Sequence, residues 1–150
     1  MTVRRRDSHV IVDTNVLSWL LDARPLPHAD EAWRTVGRRQ RAVPFVTVAE
    51  LRYGALLAGR GELRLHRLQL HRLQRSLADL DVAHCTEALV HSYTELRTHA
   101  TRTGHGLGHK THEAGRWVAS RALALGIELV AGDGTFEGLA GLDVNRTRRT

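Results

Sequence analysis

The sequence predicts an α/β domain: a central, mainly parallel sheet of four to five strands flanked by helices. Short apolar runs, Val10-Ile11-Val12, Val43-Pro44-Phe45-Val46, Leu80-Asp81-Val82 and Ile127 to Ala131, alternate with longer stretches in which apolar residues recur every three or four positions. Strands that alternate with helices are joined by crossovers, so neighbours run parallel and both sheet faces are covered. The chain has 150 residues, 42% hydrophobic and 25% charged, which suits one domain with a real core.

Val10 to Val12 form the first strand, and Asn15 to Leu21 the first helix, with Val16, Leu17, Leu20 and Leu21 on one face. The prolines of Arg24-Pro25-Leu26-Pro27 break that helix into a loop. Residues Asp30 to Arg39 read as a second helix, Ala32, Trp33 and Val36 giving its apolar spacing. Val43 to Val46 follow as the second strand, Pro44 marking its start or a sheet edge. Thr47 and Glu50 have the spacing of a capping box, so the third helix starts there with Glu50 in its first turn and Gly54 on the same face. Gly59-Arg60-Gly61 ends it, and an amphipathic helix from Glu62 to Ala78 carries an arginine-rich outer face suited to a partner, a dimer or phosphates. Leu80 to Val82 form the third strand. The helix from Thr86 to Ala100 buries Leu89, Tyr93, Leu96 and Ala100. Gly104 to Gly108 reads as a plain, mobile connector without a phosphate-loop pattern. The helix from Thr111 to Leu125 has a small-residue face of Gly115, Ala119, Ala122 and Gly126. The last strong strand, Ile127 to Ala131, runs into the turn Gly132-Asp133-Gly134. Phe136, Leu139 and Leu142 add core. Residues 1–8 and 145–150 read as basic tails around a core of about 9–144.

Composition narrows the functional classes. Cys85 is the single cysteine, so no internal disulfide framework exists and a reducing, cytoplasmic setting is expected. The ten histidines show no zinc-ligand spacing. Asp7, Asp13 and Asp22 interrupt the apolar run after Arg4-Arg5-Arg6, so no export signal forms, and no stretch is long enough to span a membrane. The net charge is +6, almost all of the positive charge from arginine, which favours polyanionic partners.

Asp13, Glu50 and Asp133 each follow a strand. A parallel sheet brings such positions to one edge, where α/β proteins bind ligands. Asp13 also suits a helix cap and Asp133 a turn. Clustered carboxylates repel unless a cation compensates, and an all-oxygen set suits Mg²⁺ or Mn²⁺. In a basic chain, such a site suits phosphodiester hydrolysis, the metal activating water and neutralising charge.

The segments Val10 to Leu17, Val46 to Ala55, Arg116 to Ser120 and Leu129 to Asp133, in this order and spacing, resemble the successive motifs of PIN-domain ribonucleases, above all the toxins of VapBC toxin–antitoxin pairs. The resemblance covers residues 9–144. It implies a PIN-like three-layer fold, a Mg²⁺ or Mn²⁺ site, endonucleolytic cleavage of RNA, a homodimer and a small VapB-like antitoxin. By position, Asp13, Glu50 and Asp133 match three of the family's acids as catalytic and metal-binding residues; Asn15 and Thr14 are supporting residues. The family's further acid, just before its Arg-Trp segment, is Gly115 here, and Ala131 stands where Thr or Ser is usual. Glu113 lies two residues, about 200° of helix, from Gly115 and is expected to point away. The expectation is therefore an impaired metal-dependent ribonuclease, with a catalytically inactive domain that still binds RNA or antitoxin as the alternative. A receiver domain fits less well, because Lys110 precedes a helix; a haloacid-dehalogenase-type phosphatase fits less well, because position 15 is Asn and not Asp.

Overall fold

A computed structural model describes residues 8–21, 27–58 and 71–147. The elements run β1 (His9–Val12), α1 (Thr14–Leu21), α2 (Pro27–Val36), β2 (Gln40–Pro44), α3 (Phe45–Ala58), β3 (Asp81–Ala83), α5 (Glu87–Thr103), α6 (Glu113–Leu125), β4 (Leu129–Ala131) and β5 (Val144–Arg146). Residues 71–77, before β3, are also helical and are called α4. All strand pairs are parallel, in the order β3-β2-β1-β4-β5.

Alternation along the strands divides the core into two layers around the sheet. Ile11, Ala42, Leu129 and Ala131 face Leu96 and Ala100 of α5 and Val118, Ala119 and Ala122 of α6. Val10, Val12, Val43 and Val130 face Val16, Leu17 and Leu20 of α1 and Ala32 and Val36 of α2. The sheet is covered on both faces, which is why its central strands read as unbroken apolar runs. The chain builds outward from β1 through β2 to β3, then crosses back to place β4 on the other side of β1. The crevice at the carboxyl ends of β1 and β4 is therefore the topological switch point, the usual place for a ligand in such sheets.

Several expected boundaries move. The second helix occupies Pro27–Val36 rather than Asp30 to Arg39. Gly37, at φ 60°, ends it and donates its N–H to the Trp33 carbonyl. Arg39, expected inside the helix, instead caps its carbonyls at Thr35 (2.7 Å) and Val36 (3.2 Å). Trp33 is not core: it is 48% exposed, with the Arg41 guanidinium 4.7 Å from its ring centroid.

The second strand ends at Pro44, so Phe45 and Val46 open α3. Pro44 lies on an interior strand, at the last residue, where the missing N–H leaves the rest of the ladder intact. Thr47 is thus the third helical residue and caps nothing; its hydroxyl is buried without a hydrogen-bond partner. Glu50 lies in the second turn of α3. The fifth strand replaces the start of the expected C-terminal tail: Val144–Arg146 pairs with β4, and Thr147 N–H donates to the Ala131 carbonyl at 2.9 Å. The expected Arg24 to Leu26 loop segment, the break at Gly59-Arg60-Gly61 and most of the helix from Glu62 lie outside the described residues; Leu77 is its buried remainder.

Candidate active site

Asp13 stands where β1 gives way to α1. Its N–H donates to the Val130 carbonyl (3.1 Å), and its own carbonyl accepts from Leu17 N–H (3.0 Å), the first bond of α1. Its carboxylate Oδ1 accepts from Val16 N–H at 2.8 Å, a helix cap. The second oxygen, Oδ2, accepts from Gly132 N–H at 3.2 Å. One side chain thus ties the carboxyl ends of β1 and β4 together. Asp13 is only 4% exposed. Burial pushes its pKa up to about 6, against the two backbone hydrogen bonds, and the charges of Asp133 and Glu50 push the same way.

Glu50 projects from α3, and its Oε1 accepts from the Thr14 hydroxyl at 2.8 Å. Asp133 is exposed and caps the short 3₁₀ turn Gly134–Phe136, accepting from Thr135 N–H at 2.9 Å. Both bland expectations, cap for Asp13 and turn for Asp133, are therefore true, and both residues still reach the crevice. A cavity of about 190 Å³ is lined by Asp13, Thr14, Asn15, Glu50 and Asp133 on one side, and by Thr111, His112, Ala114, Gly115 and Val118 on the other, with Thr135 and Phe136 beside them.

Among the described residues, no arginine or lysine lines this cavity. Burial is the main reason the Asp13 pKa is raised, and the like charges of Asp133 and Glu50 add to it. An oxygen-rich set of this kind has the donor chemistry of Mg²⁺ or Mn²⁺ rather than zinc. The three carboxylates do not stand together as a closed cluster, however: among the described residues, no three acidic, His or Cys side chains are grouped closely enough to hold an ion. Glu50 is instead bonded to the Thr14 hydroxyl and Asp133 to Thr135 N–H. The donor chemistry fits a hard divalent cation, and loading it requires these local bonds to be exchanged.

Gly115 faces the cavity from the first turns of α6. A Cβ there meets Leu107 Cδ2 at 3.4 Å and the Phe136 ring at 3.6 Å, ordinary contact distances, so a side chain fits. Glu113 points elsewhere, as its offset predicts: it accepts from the Tyr93 hydroxyl (2.6 and 2.8 Å) and pairs with Arg116. The Tyr93 hydrogen bond and the Arg116 charge hold its pKa below the ordinary value.

Several contributors carried no local signal. Gly132 packs against Trp19, and a Cβ at that position falls 2.5 Å from the indole Cη2; only glycine brings this N–H to Asp13. The segment from His105 to His112 is not a loose connector. It forms two 3₁₀ turns, Gly106–Gly108 and Lys110–His112, with Leu107 fully buried. The His105 ring accepts from Leu107 N–H at 3.1 Å, and its other nitrogen lies 2.7 Å from the Glu137 carbonyl. Arg116, buried in α6, donates to the Leu107 (2.8 Å) and His109 (2.7 Å) carbonyls and pairs with Glu113. It straps this segment to the helix that carries Gly115. Outside it, Trp117 stacks on Tyr93 (4.1 Å) and meets Phe45 of α3 at 5.5 Å.

The family model for the PIN domain matches residues 10–142. A chain of FitAcB from Neisseria gonorrhoeae superposes with a TM-score of 0.73 at 22% identity, over 92% of this chain and 97% of that one. A chain of VapBC2 from Rickettsia felis, solved bound to a promoter DNA fragment, gives 0.71 at 19%, over 92% and 98%. VapBC-5 from Mycobacterium tuberculosis, a member of the VapBC family of toxin–antitoxin systems, gives 0.65 at 22%, over 93% and 98%. No curated protein matches the chain. At these identities the structures establish the fold, and the family model, spanning the switch-point crevice and all three carboxylates, establishes the membership: the chain belongs to the PIN domain family.

Proposed function

We propose that this protein is a VapC-type toxin: an Mg²⁺- or Mn²⁺-dependent endoribonuclease, impaired by the loss of one acid at Gly115 and neutralised by a small VapB-like antitoxin. PIN domains are in general nucleases that use divalent metals. The observation that carries the reading is the cavity at the switch point, which Asp13, Glu50 and Asp133 all line and which, among the described residues, no arginine or lysine lines. Asp13, Glu50 and Asp133 are the groups to hold the ion, Asn15 and Thr14 supporting them. A bound ion lowers the pKa of its water and neutralises charge on the phosphate. With its pKa near 6, Asp13 is largely ionised at neutral pH, and a bound cation would favour that ionised form further. Thr14 holds Glu50 at the cavity rim.

The arginine-rich chain attracts RNA through its phosphates. Exposed apolar side chains on α3, Phe45, Tyr53, Leu56 and Leu57, with Val90 on α5, supply a surface for a second copy or for the antitoxin. No helix among the described residues is long and apolar enough to cross a membrane, which is compatible with a cytoplasmic toxin. Gly115 favours a second reading, a catalytically inactive domain that still binds RNA or antitoxin.

The deciding experiment is RNA cleavage by the chain in Mn²⁺, beside Gly115→Asp and Asp13→Asn. The proposal expects weak cleavage, at least a tenfold rise with Gly115→Asp, and none with Asp13→Asn. RNA binding without cleavage in both the chain and Gly115→Asp selects the second reading.

A further inference from the structure

Within that metal-dependent reading, on which this inference rests, we propose that His112 supplies the coordinating group that Gly115 cannot, and that it turns the site's preference from Mg²⁺ towards transition metals. His112 lines the same cavity as Asp13, Glu50 and Asp133. It stands three residues before Gly115, so both lie on one side of the chain as it enters α6.

Its ring is free for the task. His112 occupies the N-cap position of α6, yet its side chain makes no capping hydrogen bond. Among the described residues the ring has no hydrogen-bond partner at all; it meets only the His109 ring edge-on, centroids 6.3 Å apart. Its backbone, by contrast, is fixed, since His112 N–H donates to the His109 carbonyl at 3.1 Å and Arg116 holds that same carbonyl. An uncommitted imidazole on a fixed backbone therefore lines the same cavity as the three carboxylates; as these side chains stand, no three of them are grouped around one point, so an ion would have to draw them together.

The ligand chemistry gives the selectivity. Mg²⁺ prefers oxygen donors and keeps its waters, so an imidazole adds little to its binding. Affinity of a nitrogen donor rises along the first transition row, and Co²⁺ gains from imidazole where Mg²⁺ does not. A carboxylate at position 115 would help both ions; a histidine at 112 helps chiefly the second.

The test measures Co²⁺ and Mg²⁺ affinity by calorimetry, with the visible absorption of bound Co²⁺ as a readout independent of activity. The whole chain is compared with His112→Ala, His112→Gln and Asp13→Asn, each checked for folding by its melting curve. The histidines elsewhere are common to all four proteins, so their background Co²⁺ binding cancels. Both His112 variants are expected to weaken Co²⁺ binding at least tenfold and alter its spectrum, with Mg²⁺ affinity held within twofold. Equal effects on the two ions, or none on either, overturn the inference. If Asp13→Asn removes metal binding while the His112 variants change nothing, only the inference falls. If Asp13→Asn also leaves both affinities intact, the metal site itself falls.

Discussion

Two charged side chains are buried among the described residues, Asp13 and Arg116, and the fold treats them in opposite ways. Arg116 has its partners: two carbonyls from the strap and the Glu113 carboxylate. Asp13 accepts two backbone N–H bonds but has no cation, and the nearby charges, Asp133 and Glu50, share its sign. A buried charge paired with an opposite charge and with carbonyls, as the two terminal nitrogens of Arg116 are, holds structure together. A buried charge left with like neighbours is raised in energy, and a ligand that neutralises it is favoured by the same amount. Arg116 belongs to the frame; Asp13 belongs to the chemistry.

The contrast breaks most visibly at Arg116. Arg116→Ala strands two carbonyls and opens a cavity beneath the strap, and is expected to destabilise the chain by about 3–5 kcal/mol. Chemical denaturation reads this as a lower midpoint. A loss below about 1 kcal/mol would show that the strap does not depend on it.

Next in size is Gly132→Ala. Its methyl group collides with Trp19 and must push β4 or the indole aside, at about 1–3 kcal/mol. Trp19→Leu in the same chain should recover part of the loss, since it removes the colliding ring; no recovery would place the strain elsewhere.

Asp13 should behave in the opposite sense. Its native pKa, about 6, lies above the ordinary 3.8. Between those values the native state keeps a proton that the unfolded chain has released, so stability falls as pH rises from about 4 to 6 and levels off above about 7. The full effect is at most about 3 kcal/mol. Asp13→Asn removes this dependence. Removing the buried charge outweighs the lost acceptor for Gly132 N–H, so the variant is expected to stabilise the metal-free chain at pH 7.5 by about 1–2 kcal/mol. Thermal melts of both proteins at pH 4 and 7.5 test this; a wild-type profile rising over that range reverses the sign and refutes it.

The smallest effect sharpens the rule that buried polar groups need partners. The Thr47 hydroxyl is buried with none among the described residues. Thr47→Val keeps the shape and is expected to gain about 1 kcal/mol. A loss of stability would mean that the hydroxyl has a partner, such as water.

Sequence by itself determined what depends on neighbours along the chain. Unbroken short apolar runs made β1 and β4 legible, because strands covered on both faces must be apolar throughout. A carboxylate one or two residues past the end of each strand made Asp13 and Asp133 legible, since parallel strands end at one edge. Thr47 and Glu50 mimicked a cap because spacing alone cannot say where a helix begins; the register of β2 against β1 and β3 decided that Phe45 opens it.

Tertiary structure alone decided the rest. Val144–Arg146 became a strand because β4 offered an unpaired edge, which no property of Val-Asn-Arg announces. Gly132 was required by an indole from another element, more than a hundred positions away. Arg116 opens one of the segments that carry the family resemblance, but nothing along the chain announced its burial, which the strap carbonyls make possible. The physical reason is the same in each case. Local pattern fixes which groups seek burial or pairing, and only the packed chain determines which of them meet.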